Sequence, residues 1–168
     1  ENFIGSGFDD FVQVTSNSVV RDINGGVGTD KLIGPDAVNT WNITGPNSGN
    51  IFNSNPMQFM TFSNLENLTG GTQSDSFNFA DGTFGISGVI DAGGGTDTLS
   101  YAAYTAPIGG AVAVVLSASG TGTSTGTGGI ISFESVVGGD GDDTLTGDTG
   151  NDTLVGNNGN DVITGGNG

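Results

Sequence analysis

Three nine-residue units follow one another without interruption near the end of the chain: GGDGDDTLT (138–146), GDTGNDTLV (147–155) and GNNGNDVIT (156–164). A fourth opens as GGNG (165–168). So short and strict a period restricts the chain to an array of small identical supersecondary units, because no single unit can bury a face alone. Gly and Asn at the start of each unit tolerate positive φ, so six residues make a tight turn. The last three, such as Thr144-Leu145-Thr146, read as a short strand with one inward apolar side chain between outward threonines. Two units then make one coil of about 18 residues, and stacked coils pair their strands about 4.8 Å apart. Leu145, Leu154 and Ile163 form the expected inward stack.

The rest of the composition agrees. Gly (33), Thr (20), Asn (17) and Asp (15) make up half of the 168 residues, while apolar residues reach only 33%. So few apolar side chains would fill a compact globule poorly. Low hydrophobicity with high charge is also the signature of disorder, but ten Phe and an ordered repetition argue against it. The 18 acids face only Arg21 and Lys31, for a net charge of −16. That argues against a nucleic-acid partner, since almost nothing neutralises phosphates, and against an anionic membrane surface. The longest apolar run, roughly eight residues, is too short to span a bilayer. With no His and no Cys, imidazole catalysis, thiol chemistry, disulfides and ordinary zinc or copper sites are ruled out.

A longer period underlies the short one. ENFIGSGFDDFV (1–12), ENLTGGTQSDSF (66–77) and ESVVGGDGDDTL (134–145) align without gaps, and the three glutamates of the chain, Glu1, Glu66 and Glu134, share one column. INGGVGTDKL (23–32) and IDAGGGTDTL (90–99) repeat at an offset of 67. The expected organisation is one repetitive segment in units of about 1–65, 66–133 and 134–168. The chain starts without Met or a leader-like stretch and stops inside a repeat, which points to an excerpt of a longer polypeptide. Phe77-Asn78-Phe79, Val12-Gln13-Val14 and Val112 to Leu116 read as strands, with Gly45-Pro46-Asn47 and Asn55-Pro56 as breaks. No stretch keeps a helical apolar face for three turns. The fold class is all-β.

The turn GGxGxD carries the chemistry. Asp143, Asp152 and Asp161 close successive turns nine residues apart, so Asp143 and Asp161 fall on one edge in adjacent rungs and Asp152 on the other. Two carboxylates one rung apart repel by roughly 3 kcal/mol at an effective dielectric of 20. A cation between rungs removes that cost. Glycine turns expose carbonyls beside each carboxylate, and an irregular all-oxygen cage suits Ca²⁺ better than Mg²⁺. Because the cage exists only when rungs stack, calcium becomes a folding cofactor.

At these residues the sequence resembles the RTX (hemolysin-type) calcium-binding repeats with their GGxGxDxUx template. The match is close at 138–146 and at GGVGTDKLI (25–33), good at 147–155 and 156–164, and partial at 70–78, 92–100 and 5–13, where Gln73, Ala92 and Phe8 replace template glycines. The resemblance implies a right-handed parallel β-roll with Ca²⁺ between turns n and n+2. One ion would lie between Gly139, Gly141 and Asp143 and the turn with Gly156, Asn158 and Asp161. A second would lie between Asp148, Gly150 and Asp152 and the incomplete turn with Gly165 and Asn167. Asp10, Asp30, Asp75 and Asp97 occupy the acidic column at spacings of 20 and 22. Each pair either holds an ion across a bulged coil or consists of turn aspartates capping backbone amides. NTWNITG (39–45), FSNLENLTGG (62–71), GVIDAGGGTDTLSY (88–101) and ISFESVVGGDGDDTLTG (131–147) resemble the repetitive parts of very large secreted bacterial surface proteins.

Other features have plainer readings. Thr121, Thr123, Thr125 and Thr127 lie on one segment and read as a solvated edge strand or loop; Trp41, Tyr101 and Tyr104 read as packing. The glutamate column either binds calcium or repeats a backbone contact, the second being favoured. Asp9-Asp10 and Asp142-Asp143 are adjacent and cannot face each other across a cleft as glycosidase carboxylates do. No Ser has a candidate base, so no enzyme is expected. The expected function is a secreted calcium-dependent structural repeat: a stalk, a surface-layer or matrix fibre, or an adhesin spacer. The alternatives are an export segment of a secreted protease or lipase, and a ligand-binding adhesin module. Expected partners are calcium ions and flanking or head-to-tail copies of the same repeat.

Overall fold

The computed structural model describes residues 1–15, 20–54, 57–105 and 110–167. Asn55-Pro56 and Gly168 lie outside them. Among the described residues the regular structure is strand alone, with no helix and so none long and apolar enough to cross a membrane.

Outside two meanders, successive strands alternate between two faces, one made by a nine-stranded sheet and the other by a five-stranded and a four-stranded sheet. β1 (Asn2–Ile4), β3 (Asp22–Asn24), β9 (Ser76–Phe79), β11 (Thr98–Ser100), β15 (Ser135–Val137) and β17 (Thr153–Val155) belong to the first. The other face is built from two sheets, one holding β2 (Phe11–Gln13), β4 (Lys31–Ile33), β8 (Asn67–Gly71) and β10 (Ile86–Gly93), the next holding β16 (Thr144–Thr146) and β18 (Val162–Thr164). The register gives the length of chain per circuit directly. Phe11 pairs with Lys31, Ser76 with Thr98 and Thr144 with Val162, offsets of 20, 22 and 18 residues, all parallel. The coil of 18 thus stretches to 20 and 22 in the longer units, where β10 alone runs for 8 residues.

Two antiparallel meanders interrupt the parallel stacking, which the sequence reading did not anticipate. β5 (Asn39–Gly45), β6 (Ser48–Ser54) and β7 (Met57–Ser63) stand side by side in the first sheet. Their order is reversed: β7, the last, pairs with the earlier β3, and β5, the first, with the later β9. The turn between β5 and β6 is tight because Asn47 adopts φ 48°, a conformation Asn tolerates. β12 (Ala113–Val115), β13 (Thr123–Ser124) and β14 (Thr127–Ile131) repeat the device on the opposite face, β14 pairing with the earlier β10 and β12 with the later β16. A bridge from Gly122 to Ile130 joins β13 to β14. The threonine-rich segment forms the edge strand of its sheet, as expected, with Thr121 and Thr123 exposed and Ser124 turned inward.

Each unit of about 67 residues thus visits the sheets five times, four strands and one meander. An odd number of visits puts consecutive units on opposite faces. The strand after Glu1 lies in the first sheet, that after Glu66 in the second, and that after Glu134 in the first again.

Between the sheets runs one continuous apolar core, so the expectation that so little apolar material would pack poorly needs correction. Its centre is aromatic. Trp41 stacks on Phe77 at 5.1 Å and meets Phe62 edge-on, and Phe79 stacks on Tyr101 at 4.9 Å with Tyr104 edge-on. The meanders and long units supply these rings. The tandem nonapeptides supply little: Leu145 is fully buried opposite Val114, but Leu154 is only partly buried and Ile163 is 48% exposed. Leu145 and Ile163 stack in one sheet while Leu154 stacks on Val136 in the other, so the expected single column is two.

Candidate metal centre

The turns joining the sheets stack along two edges. On the first lie 5–10, 25–30 and 64–66, and further along 138–143 and 156–161. The second carries 72–75, 94–97 and 132–134, then 147–152 and 165–167. In three pairs the second aspartate reaches back one rung. The Asp10 amide donates to Asp30 Oδ1 (2.7 Å), the Asp75 amide to Asp97 Oδ1 (2.6 Å), and the Asp143 amide to Asp161 Oδ1 (2.9 Å). Within each pair the two aspartates therefore lie on the same edge in adjacent rungs, at spacings of 20, 22 and 18. The residue before the aspartate forms a parallel ladder: Thr29 donates to Asp9 Oδ1, Thr96 to Ser74 Oγ and Asn160 to Asp142 Oδ1. The adjacent acids thus serve two different ladders.

The glutamate column repeats a backbone contact. Glu66 Oε2 accepts the Asp30 amide and Glu134 Oε2 the Asp97 amide, both at 2.8 Å. A longer side chain is needed there because the turns 64–66 and 132–134 have three residues instead of six.

Two turn conformations alternate within each pair. In the first turn the aspartate Oδ2 accepts the amide four residues earlier: Ser6 to Asp10, Gly71 to Asp75, Gly139 to Asp143, and on the other edge Asp148 to Asp152. In the second turn the second and fourth residues are left-handed: Gly26 and Gly28, Gly93 and Gly95, Asn157 and Gly159. There the Gly26 and Gly93 amides turn away to Asn24 Oδ1 and Asp91 Oδ1. This explains the departures from the template, because Phe8 and Gln73 take the fourth position of first turns, where no left-handed residue is required. Ala92 leaves the turn 92–97 intact, with its methyl in the core.

The consequence is electrostatic. Asp30 and Asp97 are fully buried, and their Oδ2 atoms accept no hydrogen bond. Burial pushes the Asp97 carboxyl up to about 6, and the charges of Asp75, Glu134 and Asp91 add to the rise; burial raises Asp75 too. An unpartnered buried carboxylate oxygen costs free energy unless a cation or proton meets it. Carbonyls converge on the same places. At Gly138 a β-carbon would collide with Asp143 Oδ2 and lie 2.8 Å from the Gly156 carbonyl oxygen; at Gly147 it would lie 2.6 Å from Asp152 Oδ2 and 2.7 Å from the Gly165 oxygen. The first glycine of each turn thus leaves room where carboxylate and next-rung carbonyl meet, a role for Gly138 and Gly147 that the sequence reading missed. Donors here are hard oxygens, as Ca²⁺ requires. Among the described residues no three acids cluster, so carbonyls must complete any cage. Asn158 directs its side-chain amide to Asp140 (2.9 Å), and the Asn167 amide bonds the Asp148 carbonyl.

Residues 137–168 match the RTX calcium-binding nonapeptide repeat, a family model of four copies. No curated protein matches the chain. Residues 137–168, with their glycine turns closed by Asp143, Asp152 and Asp161, are thus RTX nonapeptide repeats, a module that binds Ca²⁺ and is structural rather than catalytic.

Proposed function

We propose that the whole of 1–168 is one calcium-stabilised segment, a right-handed β-roll solenoid in three units, that serves outside the bacterial cell as a stalk, surface-layer or matrix fibre, or adhesin spacer. One observation carries this reading: in all three pairs the second aspartate receives the amide of the first across one rung, so the geometry of the nonapeptides recurs far outside them. In the nonapeptides, Ca²⁺ would be held by Gly139, Gly141 and Asp143 with Gly156, Asn158 and Asp161, and by Asp148, Gly150 and Asp152 with Gly165 and Asn167. In the longer units the pairs Asp10 and Asp30, and Asp75 and Asp97, would hold it. Bound there, the ion cancels the repulsion between stacked carboxylates.

RTX repeats occur in secreted bacterial proteins, and the chemistry suits export. With calcium scarce the acidic turns repel and the chain stays open; outside, calcium at or above roughly 10⁻⁴–10⁻³ M favours the stacked state by mass action. Flanking repeats would continue the stack at either end. The test is far-UV circular dichroism of chelated protein titrated with calcium, paired with an ion count. Sheet signal should rise as ions bind, in a ratio of several per chain. Binding of no calcium at millimolar concentration would refute the proposal.

A further inference from the structure

We propose that Asn158-Gly159 is a site of spontaneous deamidation, at which the turn 156–161 gains a carboxylate or an isoaspartyl link as the protein ages. The chain holds three Asn-Gly dipeptides, 24–25, 158–159 and 167–168, the last reaching outside the described residues. Glycine favours the reaction because it has no β-carbon to hinder attack by its own amide nitrogen and accepts unusual backbone angles. The inference stands apart from the calcium reading, since it rests on exposure and hydrogen bonding alone.

The fold treats the two described dipeptides differently. At 24–25 the reacting atoms are held. The buried Gly25 donates its amide to the Ser63 carbonyl at 3.0 Å, and Asn24 Oδ1 accepts from the Gly26 amide and from Asn64 Nδ2, both at 3.0 Å. At 158–159 both residues are exposed. Gly159 is left-handed at φ 130°, and among the described residues its amide makes no hydrogen bond. Asn158 is restrained only through Nδ2, which donates to Asp140 Oδ1 at 2.9 Å on the exposed edge.

The Gly159 nitrogen, giving its proton to solvent base, bonds to Asn158 Cγ. The Cγ–Nδ2 bond breaks and ammonia leaves with a proton, closing a succinimide. Water then opens either ring carbonyl, leaving aspartate or isoaspartate at 158. The product is costly in this place. Asp140 holds the same turn position one rung earlier, and the Asn158 amide is what bridges the two. A carboxylate there replaces a donor with a like charge, and stacked carboxylates repel. Asn160 on Asp142 Oδ1, at 2.7 Å through its backbone amide, keeps a second such pair. Deamidation thus loosens the turn 156–161 against the turn 138–143.

The test ages the full chain in mildly alkaline buffer with calcium, beside a sample in urea, and maps peptides by mass for amide-to-acid exchange and isoaspartate. In the folded chain Asn158 should convert at least about tenfold faster than Asn24, because a shielded amide reacts only when its segment opens. In urea the two rates should converge. Equal rates in the folded chain would overturn the proposal. So would a difference that persists in urea, which would place the cause in local sequence rather than the fold. Asn158→Asp reproduces the product, while Asn158→Gln keeps the amide donor and cannot close the succinimide. The Gln variant should show no conversion at 158 and should melt at a higher temperature than the Asp variant; equal melting temperatures would refute the loosening.

Discussion

The Asp97 carboxylate accepts the amide of Asp75 at 2.6 Å through one oxygen and keeps the other buried with no donor in reach. Half of the group is satisfied by the rung before it, and half is buried without a hydrogen bond. That division sets how stability responds to protons, metal and mutation.

In chelator, stability should fall as pH rises from about 4 to about 6. The folded-state carboxyl of Asp97 is raised from 3.8 to about 6, so within that window the native state binds more protons than the unfolded chain, and folding loses free energy with rising pH. Asp75 shifts in the same direction. Asp36 and Asp81, lowered by hydrogen bonds from Thr72 and Thr83, act oppositely, but only as pH falls below 3.8. If Asp97 holds calcium as proposed, the ion competes with the proton there, and saturating calcium should reverse the trend. Melting temperatures across pH 4–7, with and without calcium, check both signs.

Gly138→Ala and Gly7→Ala should behave oppositely although both are turn glycines. At Gly138 a methyl would strike Asp143 Oδ2, while nothing lies within 4 Å of that position at Gly7. Overpacking costs about 1–3 kcal/mol, and displacing the Asp143 carboxylate should also weaken calcium binding. Gly7→Ala should be neutral or slightly stabilising, since it stiffens the unfolded chain. Urea unfolding in calcium compares the two.

Trp41→Ala should cost about 3–5 kcal/mol, with calcium and without it. Trp41 packs against Phe77 and Phe62 in the aromatic core and carries no carboxylate itself. Asp161→Asn should lower stability in calcium and leave the chelated protein nearly unchanged. Thermal melts of both variants in the two conditions separate the core from the metal.

The turn chemistry was legible in the sequence because it is local. Nine-residue spacing places Asp143 beside Asp161, and glycine positions announce the bends. Strand identity in Val12-Gln13-Val14 and Phe77-Asn78-Phe79 followed from alternation for the same reason. The meanders were not legible, because whether β7 or β5 neighbours β3 depends on pairing between residues such as Asp22 and Thr61, and single-chain periodicity carries no such information. Nor were the two turn conformations, since Gly26 and Gly139 are the same letter with opposite hydrogen-bonding duties. The shared alignment column of Glu66 and Glu134 was visible; that each caps an aspartate amide required the three-dimensional register.

Among the described residues, 146–167 contribute no fully buried apolar side chain, and Ile163 and Val162 are exposed. Their order should depend on metal more than that of the aromatic centre. The most direct measurement is native-state hydrogen exchange of the full chain in excess calcium and in chelator. Amides of Thr144, Thr153 and Val162, donors to neighbouring rungs, should lose protection on chelation before Trp41 and Phe77 do, by about 2.7 kcal/mol per site when calcium stood at one hundred times its dissociation constant. Equal protection of residues 146–167 in calcium and in chelator would contradict the claim that cations hold these rungs together.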